Sequence, residues 1–257
     1  MSKILITGAA DGLGREAAAQ LARGGHEVIV HARTQPRVDA ALAAVPGAAA
    51  GLAADLASLS ETAVLAERVN RRGRLDAVIH NAGIGYREAA RELTADGIEH
   101  VFHVNVVAPY LLTALIEPPE RLVYLSSGLH RAGHPDLDDV NWERREWNGY
   151  QAYCDSKLFD AVLAAAVARR RPAAISSSVD PGWVKTKMGG PGAPGELGPG
   201  ADTQVWLATS QDPAALNTGT HFRHRHPVPT HPAVSDEGAQ EALLAVCARL
   251  TGHALDR

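Results

Sequence analysis

Cysteine and long apolar runs are both scarce in this chain of 257 residues. Its two cysteines, Cys154 and Cys247, lie far apart and lack CxxC spacing, so a disulfide framework is not expected and a reducing cytoplasm is the simpler setting. No run reaches the roughly 18 apolar residues that a membrane helix needs. The N-terminus lacks the apolar stretch and small-residue cleavage site of a secretory signal. We therefore expect a cytoplasmic protein without a membrane partner.

Neither sign of charge is in large excess. The formal net charge is -4, which gives no electrostatic reason to expect nucleic acid as a partner. Hydrophobic residues make up 46% and charged residues 21%, values typical of a globular protein with a packed core. The length suits one domain over residues 1–257, in which helices cover a buried sheet.

Short apolar runs of strand length alternate with longer segments of helical period. The strand candidates are residues 4–7, 27–31, a weak alanine-rich run near 49–54, 77–80, 121–126 and 173–179. The helix candidates are residues 13–23, 59–71, 94–115, 150–170 and 235–250. This alternation predicts βαβ units with right-handed crossovers. The expected architecture is a Rossmann-like, doubly wound α/β fold with a seven-stranded parallel sheet and helices on both faces.

Three segments interrupt the alternation. Residues 128–149 are polar and rich in Trp, His and Asp, and residues 189–200 are so dense in glycine and proline that they predict a mobile loop. Residues 221–231 carry four histidines at the start of a C-terminal segment, 221–257. Because loops of this length in a compact domain tend to be functional, we expect segments 128–149 and 188–200 to cap a substrate pocket.

A glycine-rich turn follows the first strand directly, with the sequence TGAADGLG at residues 7–14. Gly8 would permit the tight turn, Gly12 the close approach of a ligand, and Gly14 the contact between helix and strand. Such a turn presents backbone N–H groups and a helix N-terminus to a pyrophosphate. The spacing is GxxxGxG and not GxGxxG, and a turn that serves packing alone is the alternative.

The second predicted strand ends in His31, Ala32 and Arg33. A site for NAD usually places an acidic residue there to bind the ribose 2′-hydroxyl, whereas Ala32 occupies that place here. Arg33 follows, where a guanidinium can pair with a 2′-phosphate, and Arg15 adds a second positive charge near the turn. The pattern favours NADP(H) over NAD(H), although either arginine alone is also compatible with an ordinary surface charge.

Tyr153 and Lys157 are four residues apart at the start of a predicted helix and so share one face. A nearby cation stabilises a phenolate and lowers the pKa of a tyrosine towards the range that suits an acid/base. The YxxxK spacing alone is weak, but other polar residues follow strand ends. Ser127 ends the fifth strand, and Asn81 to Gly83 end the fourth. Because parallel strands end at one edge of the sheet, these residues are predicted to meet in one crevice.

Taken in order, these motifs resemble the short-chain dehydrogenase/reductase family. The residues that carry the resemblance are TGAADGLG at 7–14, Asp55 with Leu56, NAG at 81–83, VN at 104–105, YLSS at 124–127, YCDSK at 153–157 and PGWVKT at 181–186. Within the family, the stretch NWERREWNGYQAYCDSKL at 141–158 is most similar to the retinol-dehydrogenase-like and WW-domain-oxidoreductase-like group.

The resemblance implies an oxidoreductase that interconverts a carbonyl and an alcohol by direct hydride transfer, without a metal. By this resemblance Tyr153 exchanges a proton with the substrate oxygen, Ser127 hydrogen-bonds that oxygen, and Lys157 binds the nicotinamide ribose and lowers the pKa of Tyr153. Asn105 would hold a water of the proton relay. The cofactor contacts implied are Gly8, Ala10, Asp11, Gly12, Leu13, Gly14, Arg33, Asp55, Leu56, Asn81, Ala82, Gly83, Tyr153, Lys157, Pro181, Gly182, Val184 and Thr186.

Several alternatives stay open at this point. The rival functions are an NAD(H)-dependent alcohol dehydrogenase and a non-catalytic nucleotide-sensing protein, although the set of residues 105, 127, 153 and 157 is intact. His224 and His226 would share one strand face and suggest a metal, but neighbouring arginines and missing carboxylates argue against one. Trp147 and Trp183 would either line the substrate pocket or pack elsewhere. Apolar residues around the cleft favour a largely apolar carbonyl or alcohol substrate. A shortened segment at 117–120 bears on a face that the family often uses for homodimers, so the oligomeric state stays open.

Overall fold

The computed structural model describes residues 1–86 and 88–255, and its centre is one twisted sheet. The strand order is β3-β2-β1-β4-β5-β6-β7-β8, parallel as far as β7 and antiparallel between β7 and β8. The strands are β1 (Lys3–Ile6), β2 (Glu27–Ala32), β3 (Ala50–Ala53), β4 (Ala77–His80), β5 (Arg121–Leu125), β6 (Ile175–Val179), β7 (His221–Arg223) and β8 (His226–Pro227). The chain order reverses direction between β1 and β4, which is where ligands bind in sheets of this type.

Helices cover both faces of the sheet. They are α1 (Gly12–Arg23), α2 (Gln35–Ala44), α3 (Leu59–Asn70), α4 (His100–Phe102), α5 (Ala108–Leu115), α6 (Gly149–Arg170), α7 (Leu197–Thr209) and α8 (Glu237–Thr251). One apolar core lies between the sheet and α3, α5, α6 and α8, and the other lies between the sheet and α1, α2 and α7. Because both faces are covered, β4 and β5 are buried along their whole length and read as continuous apolar runs.

The last helix described, α8, packs across α6. Its N-cap Asp236 accepts hydrogen bonds from two backbone N–H groups of the first turn. Leu243, Leu244 and Cys247 are buried in the core that α6 shares. At its outer side Glu241 pairs with two arginines at the end of α6, which lower the pKa of Glu241 to about 2.

The structure confirms the fold class and corrects several details of the prediction. The sheet has eight strands and not seven, because the chain turns back after β7 and adds the short antiparallel β8. The predicted loop at 189–200 ends early, since α7 begins at Leu197. The predicted helix at 94–115 begins only at His100 and is interrupted by a π-helical turn, His103–Val107. Helix α2 was not predicted, because its alanine-rich sequence carries little hydrophobic periodicity.

None of the helices within the described residues combines the length and the apolar character needed to cross a membrane. The predicted C-terminal segment 221–257 is described as far as residue 255, and its last two positions lie outside the described residues.

Candidate active site

The glycine-rich turn joins the end of β1 to the start of α1. Gly8 and Gly12 have φ values of 67° and 54°, a region that other residues rarely adopt. A Cβ atom on Gly14 would lie 2.4 Å from the Gly8 carbonyl oxygen, so the turn closes this tightly only with glycine. Asp11 stands at the N-cap of α1 without a capping hydrogen bond. The first N–H groups of α1 and the positive end of its dipole therefore remain available to an anion.

Residues 81–83 are bonded directly to this turn. The Thr7 hydroxyl accepts hydrogen bonds from the backbone N–H groups of Asn81 and Ala82, both at 3.0 Å. The Asn81 amide donates to the Thr7 carbonyl oxygen at 2.9 Å. The Asn81 Oδ1 atom is buried and has no hydrogen-bond partner. A buried acceptor of this kind is expected to meet a donor from a ligand or a water.

His31, at the end of β2, fixes the turn from the other side. Its Nδ1 atom accepts from the Gly8 backbone N–H at 3.2 Å, and its Nε2 atom lies 3.0 Å from the Ala54 carbonyl oxygen. Burial lowers the pKa of His31 to about 4, so the ring is neutral at physiological pH. Sequence reasoning assigned His31 no role, because a histidine in an apolar strand gives no signal of the two elements that it bridges.

Two arginines line the end of the cleft that lies beside β2. Arg33 is where the sequence placed it, and Arg37, in the first turn of α2, stands beside it in the cleft wall. Arg15 is exposed on α1 and does not line the cleft. Arg37 was missed because α2 itself was not predicted. Its guanidinium lies 3.0 Å from Asp11, whose carboxylate also pairs with Lys187 at 2.8 Å. Burial raises the pKa of Asp11, but the hydrogen bonds from Lys187 and Arg37 outweigh it and lower the pKa overall.

Tyr153 lies at the floor of the same cleft, one turn into α6. The hydroxyl of Ser127, which follows β5, lies beside it and accepts a hydrogen bond from the Leu129 backbone N–H at 3.2 Å. Burial raises the pKa of Tyr153 above its ordinary value, the negative charge of Asp160 adds to this, and the neighbouring Ser127 hydroxyl opposes it. The sequence predicted that Lys157 lowers this pKa. In the structure the balance is the opposite, because burial dominates and because Lys157 has an ion-pair partner of its own.

That partner is Asp160, one turn further along α6. The Lys157 Nζ atom lies 2.7 Å from the Asp160 carboxylate and donates to the Leu125 carbonyl oxygen at 2.8 Å. Its distance to the centre of the Tyr153 ring is 5.7 Å. Both side chains of the ion pair are at most 5% exposed. Burial raises the pKa of Asp160 to about 6 against the opposing effect of Lys157.

Asn105 lies in the π-helical turn behind Gly83, not on the cleft wall. Its Oδ1 atom accepts from the Ile84 backbone N–H at 2.8 Å, and its amide donates to the Ile84 carbonyl oxygen and to the Ser156 hydroxyl, both at 2.9 Å. The side chain thus ties the segment after β4 to α6. Its part in a proton relay stays a prediction. Interruptions of this kind often mark functional sites.

The segment after β6 crosses the cleft. Pro181, Thr186 and Met188 line it. Gly182 and Val184, predicted as cofactor contacts, do not line it. Gly182 has a φ value of 81°, and Val184 is buried against the glycines of the following loop. Tyr86 reaches across the cleft, since its hydroxyl donates to the Met188 carbonyl oxygen and its ring meets Tyr153 edge-on.

Together these elements enclose a cleft of about 410 Å³, within the usual range of small-molecule sites. Most of the predicted cofactor contacts meet there: Gly8, Ala10, Asp11, Gly12, Leu13, Gly14, Arg33, Asp55, Leu56, Asn81, Ala82, Gly83, Tyr153, Lys157, Pro181 and Thr186. Residues that line it without having been predicted as contacts are His31, Ala32, Arg37, Ala54, Ile84, His100, Val104, Leu125, Ser126, Lys187 and Met188.

The histidines of the C-terminal segment are spread over a hairpin. His221 is buried and bonded to the Ser178 hydroxyl at 2.8 Å. His224 lies in the turn between β7 and β8, and His226 lies on β8, so the two do not share a strand face as predicted. Among the described residues no three His, Cys, Asp or Glu side chains are grouped as a metal site would require.

Trp147 packs in the loop against Trp142, with 5.3 Å between ring centres, and donates to the Glu88 carbonyl oxygen. Trp183 is exposed over 59% of its surface beside the cleft-crossing segment. Neither of these two predicted candidates lines the cleft.

The residues present fit a dinucleotide. The glycine turn leaves the start of α1 open to a pyrophosphate, Asn81 offers a buried acceptor without a partner, and Arg33 and Arg37 supply positive charge beside Ala32. Lys157 has committed two of its three N–H donors, so one remains for a ribose hydroxyl.

Sequence comparison agrees with this geometry. Residues 2–121 match the family model described as short chain dehydrogenase. An uncharacterised oxidoreductase of Emericella nidulans, AN7799, is 44% identical over 98% of this chain and 98% of its own. The chain belongs to the short-chain dehydrogenase family. It falls in the retinol-dehydrogenase-like group of this oxidoreductase family, since human retinol dehydrogenase 13 is 31% identical over 97% of this chain and 84% of its own.

Other relatives of this short-chain dehydrogenase carry more specific names. A Streptomyces sp. (strain C5) protein with the provisional name daunorubicin C-13 ketoreductase DnrU is 34% identical over 97% of this chain and 92% of its own. Among solved structures, an uncharacterised protein from Mycobacterium paratuberculosis has a TM-score of 0.87 and 27% identity over 100% of this chain and 96% of that one. A short-chain dehydrogenase from Burkholderia cenocepacia in complex with NADP has a TM-score of 0.70 and 22% identity, over 86% of this chain and 95% of that one, and shows the shared fold.

Proposed function

We propose that this short-chain dehydrogenase is an NADP(H)-dependent oxidoreductase that interconverts a carbonyl and an alcohol on a largely apolar small molecule. The observation that carries the proposal is Tyr153 in the cleft wall, with the Ser127 hydroxyl next to it and the Lys157 ammonium 5.7 Å from its ring. Two hydroxyls that meet at one point can both bond to a single substrate oxygen, which is what a carbonyl reduction requires.

In this proposal the hydride would be supplied or accepted by a nicotinamide when one is bound, and the side chains transfer the proton. Ser127 donates a hydrogen bond to the substrate oxygen and orients the carbonyl. Tyr153 gives its phenol proton to that oxygen during reduction and takes it back during oxidation. Lys157 holds the ribose next to the reacting groups. Asn105 fixes the Ile84 segment and supports the water through which the proton is replaced.

The preference for NADP(H) rests on charge. The end of β2 carries Ala32 where an acidic residue would repel a 2′-phosphate, and Arg33 and Arg37 line the same end of the cleft. Arginine is suited to a phosphate because its planar fork donates two parallel hydrogen bonds. The NADP complex of a protein of the same fold is consistent with this choice.

Support for a ketone substrate comes from the provisional name of the Streptomyces relative and from apolar residues such as Val104 and Met188 in the cleft wall. We propose a largely apolar ketone as the substrate class.

The test is the oxidation of NADPH by the purified protein with 1-tetralone and a panel of related ketones. Tyr153→Phe is expected to lower kcat by about 100-fold or more, because general acid catalysis contributes about 10²–10⁴-fold, while NADPH still binds. Tyr150→Phe is the matched control, since Tyr150 lies on the same helix with its side chain exposed. Equal losses in the two variants, or no turnover by the wild type with any ketone, would contradict the proposal.

A further inference from the structure

A buried carboxylate stands next to the lysine of the candidate active site, and the mechanism above assigns it no part. Asp160 is 2% exposed, lies in the middle of α6, and accepts a hydrogen bond from the Lys157 ammonium at 2.7 Å. Buried ion pairs contribute little to stability, because the cost of removing two charges from water offsets their attraction. Stability alone therefore gives a weak reason for an acid at this position.

The contacts of Lys157 show what the carboxylate does to the ammonium. One N–H donates to the Leu125 carbonyl oxygen and one to Asp160, so the direction of the third is fixed by the tetrahedral geometry of the group. The Lys157 main chain is held as well, because its carbonyl oxygen accepts from the Ser126 hydroxyl at 2.7 Å. Asp160 thus orients the ammonium in the cleft wall.

The same carboxylate offsets the charge of the ammonium. Lys157 alone would place a positive charge 5.7 Å from the Tyr153 ring and favour the phenolate. With Asp160 bonded to it, the pair is close to neutral as seen from Tyr153. The phenol then keeps its proton, which is the state that donates to a carbonyl.

We propose that Asp160 is a positioning residue for Lys157 and that, by balancing its charge, it sets this site for carbonyl reduction over alcohol oxidation near neutral pH. The inference rests on the proposed function and adds a preferred direction to it.

Other titratable groups surround the pair and bear on its pH dependence. Burial raises the pKa of Tyr124 on β5. The negative charge of Asp160 raises this pKa further, whereas the positive charge of Arg171 after α6 lowers it. His80 on β4 stacks on Tyr124 and is neutral, because burial lowers its pKa to about 3. The charge of Asp180 after β6 also raises the pKa of Tyr153, but by less than the charge of Asp160. None of these groups is bonded to Lys157, so Asp160 is the one to change.

The variants are Asp160→Asn, which keeps an acceptor for Lys157 but removes the charge, and Asp160→Glu, which keeps the charge. Asp155→Asn is the matched control, because Asp155 is also buried on α6 and pairs at 3.1 Å with Arg145 on the side away from the cleft. Circular dichroism and thermal unfolding establish that each variant is folded.

Equilibrium binding gives the first readout, independent of turnover. Removing the carboxylate leaves a net positive charge near the proposed nicotinamide ribose site. This charge weakens the binding of NADP⁺, because its oxidised nicotinamide ring is a cation. In Asp160→Asn the ratio of the Kd for NADP⁺ to the Kd for NADPH is expected to rise about 10-fold, from the size of one charge interaction at this range. Asp160→Glu and Asp155→Asn are expected to stay close to the wild-type ratio.

The second readout is the pH profile of kcat/KM for oxidation of 1-tetralol and reduction of 1-tetralone. In Asp160→Asn the rise in kcat/KM for oxidation at alkaline pH is expected to occur about one to two pH units lower than in the wild type. Unchanged profiles and an unchanged ratio in this variant, with an active wild type, would overturn the inference and leave the proposed function standing. A wild type that binds neither cofactor would overturn both.

Discussion

The two arginines at the end of β2 and the start of α2 allow a quantitative prediction about cofactor choice. Both are partly exposed, so a charge-assisted bond to a 2′-phosphate is discounted from its usual range to about 1–2 kcal/mol. Arg33→Ala is therefore expected to weaken NADPH binding about 10-fold and to leave NADH binding almost unchanged, because NADH has no phosphate there. Arg33 has no competing ion pair among the salt bridges described.

Arg37 differs because its guanidinium already pairs with Asp11 at 3.0 Å. An exposed ion pair of this kind has an interaction free energy of about 0.2–1 kcal/mol. This energy is lost when Arg37 binds a phosphate in place of Asp11. Arg37→Ala is accordingly expected to weaken NADPH binding by only about 3-fold. Asp11→Asn removes the competing carboxylate from both Arg37 and Lys187 and is expected to tighten NADPH about 2-fold or more.

The assay is fluorescence titration with NADPH and NADH at two salt concentrations. Added salt is expected to reduce each difference in NADPH affinity between a variant and the wild type, since exposed charges are screened. The reasoning would be refuted if Arg33→Ala weakened NADPH and NADH by the same factor, or if Asp11→Asn weakened NADPH while the protein kept its thermal stability.

Three further outcomes follow from packing and ionisation. Gly14→Ala is expected to destabilise the fold by about 1–3 kcal/mol, because its Cβ would lie 2.4 Å from the Gly8 carbonyl oxygen, and a urea midpoint equal to wild type would contradict this. Leu243→Ala is expected to cost about 2–5 kcal/mol and to lower Tm by about 5–15 °C, measured by calorimetry, because this fully buried leucine holds α8 on the core. Among the described residues, five buried histidines have pKa values lowered by burial: His130, together with His31 and His103, the latter two to about 4, and His80 and His221, to about 3. The unfolded chain takes up protons that the folded chain does not, so their contribution is complete above pH 6.5 and is lost as pH falls through the folded-state pKa values, towards 4 for His31 and His103 and towards 3 for His80 and His221. Stability that stayed flat from pH 6.5 to 5 in urea titrations would be incompatible with neutral buried rings.

Local sequence was enough to place the strands that run continuously apolar, such as β4 and β5, and the residues fixed by one turn, such as Gly8 and Gly14. It was not enough where tertiary contacts decide. Helix α2 is rich in alanine and has little periodicity, so Arg37 was missed with it. The interruption at His103–Val107 occurs within a segment that reads as one helix. Whether a lysine four residues from a tyrosine acts as a free charge depends on what is packed behind it, and spacing alone did not identify Asp160 as its partner.

The position of α8 has a consequence for how the chain is made. Synthesis on the ribosome runs from the N-terminus, so α5 and α6 emerge well before the helix that covers them. At about 5–20 residues per second, the roughly 80 residues from the end of α6 to the end of α8 take about 4–16 s. During that interval the apolar side of α6 that receives Leu243 and Leu244 is uncovered. On this face the nascent chain is thus open to self-association and to chaperones until α8 has been made.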